Sequence, residues 1–531
     1  MAAPDAAADP FTLAVIQSSI AAIGEEMFAA LRQTAMSAII YEVLDMGTGI
    51  TDPDGRLAAS GCGIPTFVAV IDKAVARVIA LHGTAAIRPG DLFVTNDPHF
   101  GGVTHLNDIV LLLPVFADGH LVAWTGNIAH WPDIGGMVAG SMGADATDIW
   151  QEGLRLPAVR LFEAGRAVAP VFAIMRANTR LPEALEGDLW AGIAALRLGE
   201  RRIVDLVRRY GRAAFAAAMA DAFDHSEQTS RAGLRRLPPG RHSLRDTGPD
   251  GQVWTVHVEI APDRFTVDLA DCPDAAATPY NLSRDGAVIA AQMIFKALTD
   301  PGQTANAGSF RPLTVITRPG SIFDPPPHAP QGLYFESRIR LIDLIWHCLA
   351  EAMPHLLPAG HFASICSTVL SGLNPDTGRR FTVVEPQVGG WGATDAADGI
   401  SANFAAGHGE TFNCPAEIAE ARYGVLVGQR RLNDAPGGAG RFRGGRGAVT
   451  EWRIRAPEAF LSVAYGAAPR HPWGLAGGEA GSPNYVEVDR SDGGRERFTV
   501  ATHLTLRQGD VVRLVTGTGG GHGDPTRRTL A

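Results

Sequence analysis

The sequence predicts a large, multi-lobed α+β fold. Two observations lead there. Along 531 residues the apolar spacing switches repeatedly between helical and strand period, without the regular alternation of a doubly wound sheet. Glycine and proline, 61 and 35 residues, cluster between those segments as turn and loop signals. At roughly 150 residues per domain the length calls for several lobes. Apolar residues, 46% of the chain, are ample for their cores. The expected lobes are 11–240 (α+β), 241–360 (an α+β middle) and 361–531 (β-rich, with glycine-rich segments).

Residues 11–37 carry helix-like apolar spacing, interrupted at Gly24. "IIYEVLDMGTGITDPDGRLAAS" then reads as strand, turn, strand. Asp52-Pro53-Asp54-Gly55 is the turn, because proline presets one dihedral and glycine accepts positive φ. Residues 66–83 read as a helix. Over 109–130, "DIVLLLPVF" and "LVAWTGNIAH" flank Asp118-Gly119, the short-range hairpin signal. Pro114 implies an edge or a bulge in the first arm. Residues 183–235 form the longest helical region, divided at Gly187, Gly199 and Gly211, and Pro238-Pro239-Gly240 closes the first lobe. A strand meander follows, with turns at Pro249-Asp250-Gly251 and Pro262-Asp263. Helices come next, near 284–298 and 333–353, separated by the proline-rich "RPGSIFDPPPHAP". From about residue 361 the chain turns strand- and glycine-rich, with another hairpin signal in "GLNPDTGRRFTVVE".

Charge narrows the function classes. The net charge of −10 is spread along the chain, so nucleic acid is not an expected partner; phosphate binding needs a concentrated basic face. Lys73 and Lys296 are the only lysines, which leaves lysine-based chemistry two candidates. Five cysteines are scattered without a C-x-x-C pair, so neither a thiolate zinc site nor a disulfide framework is indicated. "MAAPDAAADP" lacks the basic and apolar regions of a secretory signal. The apolar stretches read as shorter than the ~20 residues that span a bilayer. A cytoplasmic protein with no membrane partner is expected.

The pattern that carries chemistry lies in "VTNDPHFGGVTHLNDIVLLLPVF", residues 94–116. His105 and Asp108 stand where a polar, glycine-rich segment becomes an apolar strand. A two-residue turn at Asp118-Gly119 pairs Ala117 with His120. Carried down the arms, that register sets Asn107 opposite His130 and Asp108 opposite Ala129. A one-residue bulge at Pro114 would instead set Asp108 opposite His130. In either case His105, Asp108 and His130 gather at the open end of one hairpin. Two imidazoles, a carboxylate and an open position form a donor set for a catalytic divalent metal. A fourth ligand is expected to be a carboxylate, with Glu42, Asp45, Asp97 and Asp133 as candidates. An isolated H-x-x-D is more often a strand cap beside a core histidine. The hairpin grouping is what gives this one weight. Gly101-Gly102 and Gly135-Gly136 flank it and allow backbone to approach a ligand.

Other motifs carry less. "TGTGGGHGDP" and "GGAGRFRGGRG" do not fit G-x-x-x-x-G-K-[ST] and contain no lysine; they read as turns packing on another surface. "GSM" and "GSF" lack the G-x-S-x-G elbow. Cys62 in "SGCGIP" reads as a structural thiol. His408 and Glu410 in "AAGHGETFNCPAE" either line a site or bind local backbone.

Taken together, "TNDPHFGGVTHLNDI", "AHWPDIGG", "QEGLRLP", "NTRLPEALEGDLWAG", "GGWGATDAADG", "NCPAEIAE", "GGAGRFRGGRG" and "TGTGGGHGDP" resemble signatures of the hydantoinase B/oxoprolinase family, from about residue 11 to 526. The resemblance implies the B-type half of an ATP-dependent enzyme that opens cyclic amides: hydantoins, 5-oxoproline or lactams. It implies an A-type partner with an actin-like ATPase fold, which would bind ATP in place of this chain. Related subunits occur in acetone and acetophenone carboxylases, so a ketone substrate is the alternative, and a non-catalytic scaffold role the third. The implied metal ligands are His105, Asp108 and His130, with Glu42 as the fourth, around Zn, Mn or Fe. Asp45, Asp97 and Asp133 are the candidates for general-base or supporting roles. The sequence departs from the family at Phe67, where a His is frequent, at Ala139, where Pro is frequent, and at His522, where an aromatic residue is usual.

Overall fold

The computed structural model describes residues 9–102, 104–248, 251–409, 411–466 and 469–528. Pro249 and Asp250 of the expected turn, Glu410, and the N-terminal stretch up to residue 8 lie outside the described residues. Helices and sheets are interspersed as α+β, with four sheets among the described residues. The first is the frame of the site. Its strands are β1 (Met46–Thr51), β2 (Leu57–Gly63), β3 (Leu92–Thr95), β4 (Asp108–Ala117), β5 (His120–His130), β6 (Val159–Glu163) and β7 (Arg166–Ala167). They lie in the order β2-β1-β5-β4-β3-β6-β7. A four-stranded sheet follows within residues 240–316, and two more, of four and five strands, within 367–515.

β4 is apolar on both faces because both faces are covered. Val110 and Leu112 join Trp124 and Ile128 against Ile71 of the helix Pro65–His82. Ile109, Leu111 and Leu113 face the opposite side with the helix Pro182–Tyr210, where Leu111 and Asn127 meet Gly192. Burying each such side chain is worth roughly 1.5–3 kcal/mol, which fixes the strand firmly between the helical layers. Pro114 sits on β4 where β3 no longer pairs with it, so its missing N–H costs no ladder bond on that side.

The helix Pro10–Thr34 is capped by Asp9, whose Oδ1 accepts from the N–H groups of Phe11 and Thr12. Gly24 does not interrupt it: a Cβ there would lie 2.9 Å from the Cα of Gly61, so glycine allows the helix to lie directly on β2. Its length and composition also suit a membrane span, with a mean hydropathy of 1.3, contrary to the reading of short apolar stretches. Ile16, Ile20, Ile23, Met27 and Leu31 nevertheless form one buried stripe packed on β2 and the helix Pro182–Tyr210. The long helical region divides once, at Gly211, and continues as Arg212–Leu234. Gly187 and Gly199 stay within the helix as close-packing points against Met36 and Met27.

The expected strand at "IIYEV" is instead a helical turn, Ala38–Tyr41, with Glu42 as its C-cap. Leu44 follows at φ 61 and turns the chain into β1. The glycine-rich C-terminal segments are neither strands nor simple turns. Stretches within 389–393, 437–447, 472–481 and 517–523 run beside one another and bond backbone to backbone. Gly519 N–H donates to the Gly445 carbonyl at 2.9 Å, and Gly438 N–H donates to the Gly519 carbonyl at 2.9 Å. A Cβ on Gly519 would come within 1.9 Å of the Trp391 carbonyl oxygen, so this packing leaves no room for a side chain.

Candidate metal centre

The register at the mouth of the hairpin is the bulged one. Asp108, the first residue of β4, pairs with His130, the last of β5. The irregularity lies between Val115 and Phe116, which pair with Ala123 and Leu121 and leave Val122 as the extra residue. The bulge is therefore on β5 beside Val122, and Pro114 pairs regularly with Trp124. Directly paired residues share a face, so Asp108 and His130 point to the same side, towards the helix Pro65–His82. His105 enters from the preceding turn, where Asp108 N–H donates to its carbonyl at 3.2 Å. His105, Asp108 and His130 are buried, and one ligand atom from each lies within 4.8 Å of the others.

Asp45 completes this edge. Met46 pairs with Ala129, so Asp45 stands beside His130, whose N–H donates to the Asp45 carbonyl at 3.0 Å. Asp45 lines the same cavity as the other three. Glu42 is not brought to the group; it is half-buried at the end of the helical turn, towards Tyr41 and Cys414. The helical turn and the left-handed Leu44 are the physical reason. They replace the continuous strand on which Glu42 was expected.

Asp97 and Asp133 also sit elsewhere, with their oxygens engaged. Asp97 accepts from His99 and Phe100 N–H at 2.9 Å each and from Arg155 Nε at 2.8 Å. Asp133 accepts from the N–H groups of Gly135, Gly140 and Arg180 and from Arg180 Nη1 at 3.0 Å. Both hold loops in shape.

The lone pairs around the cavity are the site's distinguishing feature. Asp45 Oδ1, Asp108 Oδ1, both nitrogens of His130 and both nitrogens of His408 are buried without a hydrogen-bond partner. Buried polar atoms are nearly always satisfied, so this cluster needs an explanation. His105 Nε2 stands 3.1 Å from Asp108 Oδ1 but is not aligned to donate to it. A nitrogen and a carboxylate oxygen at that spacing could be shared by one divalent ion. His105 Nδ1 lies 3.0 Å from the Gly332 carbonyl, which takes its proton and turns the Nε2 lone pair into the cavity. Gly332 is itself held through its N–H by Glu152. Asp108 Oδ2 accepts from the hydroxyls of Thr104 and, at 3.2 Å, Tyr334.

Protonation follows burial. Burial pulls His130 and His408 down to about 3 each, so both rings are neutral. Burial and the Asp108 charge push Asp45 up to about 8. For His105, burial opposes the charged form, but the carboxylate of Asp108 outweighs it and raises the imidazole. The cavity volume is about 30 Å³, room for an ion or a water. Two imidazoles and two carboxylates with unsatisfied lone pairs fit a divalent ion, and Zn, Mn and Fe all accept that set.

The far walls come from distant segments. The helix Tyr334–Ala350 contributes Tyr334, Phe335 and Arg338, and the C-terminal region contributes Ile365, Ser367, Val384, Pro386 and His408. Phe67 lines the cavity from the helix Pro65–His82. Sequence reasoning does not single out Tyr334 and Arg338. Their four-residue spacing on an otherwise buried helix is the available signal.

The family model for hydantoinase B/oxoprolinase matches residues 9–525. The caprolactamase beta chain of Pseudomonas jessenii is 30% identical to this chain, the alignment covering 98% of this chain and 92% of the relative. A protein of Pseudomonas sp. (strain NS671), named as the putative B-type chain of a D-/L-hydantoinase, is 28% identical, with 98% and 91% covered. The crystal structure of the ATP-dependent caprolactamase from Pseudomonas jessenii superposes with a TM-score of 0.91 at 28% identity, over 98% of this chain and 92% of that one. Nucleotide-free acetone carboxylase shares the fold, with a TM-score of 0.89 at 18% identity, over 98% and 76%. This chain belongs to the hydantoinase B/oxoprolinase family.

Proposed function

We propose that this chain is the B-type component of an ATP-dependent hydrolase of cyclic amides, working in the cytoplasm with an A-type ATPase partner. The observation that carries the reading is the convergence of unpartnered polar atoms of Asp45, Asp108 and His130, with His105 beside them, on one small buried cavity. These four residues would hold a divalent metal, with Asp45 in the place that the family resemblance gives to Glu42. Such an ion supplies Lewis-acid polarisation at the reacting carbon–oxygen group.

The chain's own groups do the rest. Gly332 fixes the His105 tautomer, and Thr104 and Tyr334 hold the orientation of Asp108. Phe67, Phe335, Ile365 and Val384 keep the cavity dry, which strengthens electrostatic interactions inside it. ATP is assigned to the partner, because the glycine-rich segments of this chain spend their backbone N–H groups on one another. In the overall reaction the cyclic amide and ATP consume two waters. The ring C–N bond breaks, the nitrogen leaves as the amine after taking a proton, and the amino acid, ADP and phosphate result.

The test is reconstitution with the cognate A-type partner. ADP release is measured against lactams, hydantoins and 5-oxoproline, and against ketones with bicarbonate. We expect ring opening with stoichiometric metal in the B-type chain, and a loss of at least ~10²-fold in His105→Ala and His130→Ala. Unchanged turnover in both variants would leave the chain a scaffold. Turnover confined to ketones with bicarbonate would make it part of a carboxylase.

A further inference from the structure

The metal reading accounts for the open ligand atoms in the cavity wall facing β4 and β5, but not for Arg338. This guanidinium is 1% exposed on the helix Tyr334–Ala350. Its helix neighbour Arg340 pairs with Asp246 and Asp343. Arg338 has no carboxylate at ion-pair distance among the described residues. Its Nη1 donates to Thr66 Oγ1 at 2.6 Å, its carbon lies 5.4 Å from the Tyr334 ring centre, and its Nε has no partner. A neutral hydroxyl and a ring face do not return the hydration a buried guanidinium gives up.

His408 stands in the same wall with two unpartnered nitrogens, and the two residues are physically linked. Arg338 donates to Thr66, and the Thr66 hydroxyl donates to the Gly407 carbonyl at 3.1 Å. A buried guanidinium with an open Nε and no carboxylate at ion-pair distance among the described residues is suited to an anionic ligand. Guanidinium forks match tetrahedral and planar oxyanions, and the unpaired Nε leaves half of such a fork open.

We propose that Arg338, with His408 beside it, is the oxyanion-binding element of this cavity, and that its ligand is the phosphoryl group carried on the former amide oxygen. The identity of that ligand rests on the amide-hydrolase reading. The preference for an oxyanion does not, because bicarbonate offers the same chemistry in the carboxylase alternative. The cavity of about 30 Å³ is smaller than a phosphoryl group, so anion binding there requires it to widen.

The test uses the full-length chain loaded with Mn²⁺ or Zn²⁺, titrated calorimetrically with inorganic phosphate and separately with bicarbonate. Arg338→Gln is expected to weaken phosphate binding at least tenfold while metal content and melting temperature hold. Arg338→Lys, or millimolar guanidinium added to Arg338→Gln, is expected to restore part of the affinity. His408→Ala is expected to weaken it less. Unchanged phosphate affinity in Arg338→Gln overturns the proposal, and so does wild-type protein that binds neither anion. Loss of metal from both Arg338 variants also overturns it, since the residue would then merely brace the metal ligands. Bicarbonate bound in preference to phosphate, and lost with Arg338, keeps the oxyanion role and refutes the amide-hydrolase ligand.

Discussion

Asp45→Asn, set against Glu42→Gln, separates the two carboxylates that compete for the fourth ligand position. Asp45 Oδ1 is buried without a partner in the cavity that His105, Asp108 and His130 line, whereas Glu42 lies at the end of a helical turn outside it. Losing an outer-shell partner of a metal ligand costs about 10–100-fold in affinity. Losing a direct ligand should therefore cost at least ~100-fold, or about 2.7 kcal/mol at ~1.36 kcal/mol per decade. Asparagine keeps the shape and removes the charge. Burial already favours a neutral group at that point, with Asp45 pushed up to about 8. The melting temperature of the metal-free Asp45→Asn chain should therefore not fall. The assay is metal titration by calorimetry, with metal content after dialysis read by mass spectrometry. Glu42→Gln should stay within about threefold of wild type, close to the scatter of such constants. A loss in Glu42→Gln as large as in Asp45→Asn would refute the argument, and so would full affinity in Asp45→Asn.

Gly519→Ala should destabilise the chain by about 3 kcal/mol or more, because a Cβ 1.9 Å from the Trp391 oxygen must break the Gly519–Gly445 and Gly438–Gly519 bonds. Gly409→Ala, where a Cβ meets nothing within 4 Å, should stay near wild type in the same urea titration, and equal midpoints would disprove the packing account. Glu336 is pushed by burial up to about 8, from an ordinary value of 4.5. The folded chain therefore holds a proton that the unfolded chain releases. That stability is complete below about pH 4.5, falls by about 1.4 kcal/mol per pH unit above it, and is gone once pH passes about 8. Glu336→Gln should flatten the pH profile of unfolding over that window by one proton; an unchanged slope would show that the carboxyl is not buried as described.

The hairpin and its polar mouth were legible in the sequence because they follow from local rules: a two-residue turn, period-two arms and an H-x-x-D at the polarity change. The family resemblance was legible for a different reason, many ordered motifs across the whole chain. What escaped reading depends on tertiary approach. Gly24 looked like a helix break because a sequence does not display the backbone of Gly61 lying against it. "IIYEV" looked like a strand because β-branched spacing is the same whether the run forms a strand or a single helical turn, and that turn leaves Glu42 outside the cavity that Asp45 lines. The sequence does not single out Arg338, and it leaves His408 between lining a site and binding local backbone, because both are hundreds of residues from the hairpin and no spacing rule connects them to it. The glycine-rich segments read as turns because local signals cannot report that their partners are other glycine segments.

The extra residue Val122 shows how the packed core assembles the site. Without it the pairing would run as Asp108 with Ala129, and strand alternation would then turn Asp108 and His130 to opposite faces. The bulge lies about seven residues from the site, some 23 Å along a strand at ~3.3 Å per residue. It acts through register alone. The same register aligns Trp124 and Ile128 with Val110 and Leu112 against the helix Pro65–His82, and Asn127 with Leu111 against the helix Pro182–Tyr210. A slip would carry Trp124 and Ile128 out of one core and drive Asn127 and Thr125 into it, a cost of several kcal/mol in lost burial and unsatisfied amides. The apolar packing thus penalises every register in which Asp108 and His130 part. Asp108 and His130 are held on one face by the packing of the strands and not by a bond between them.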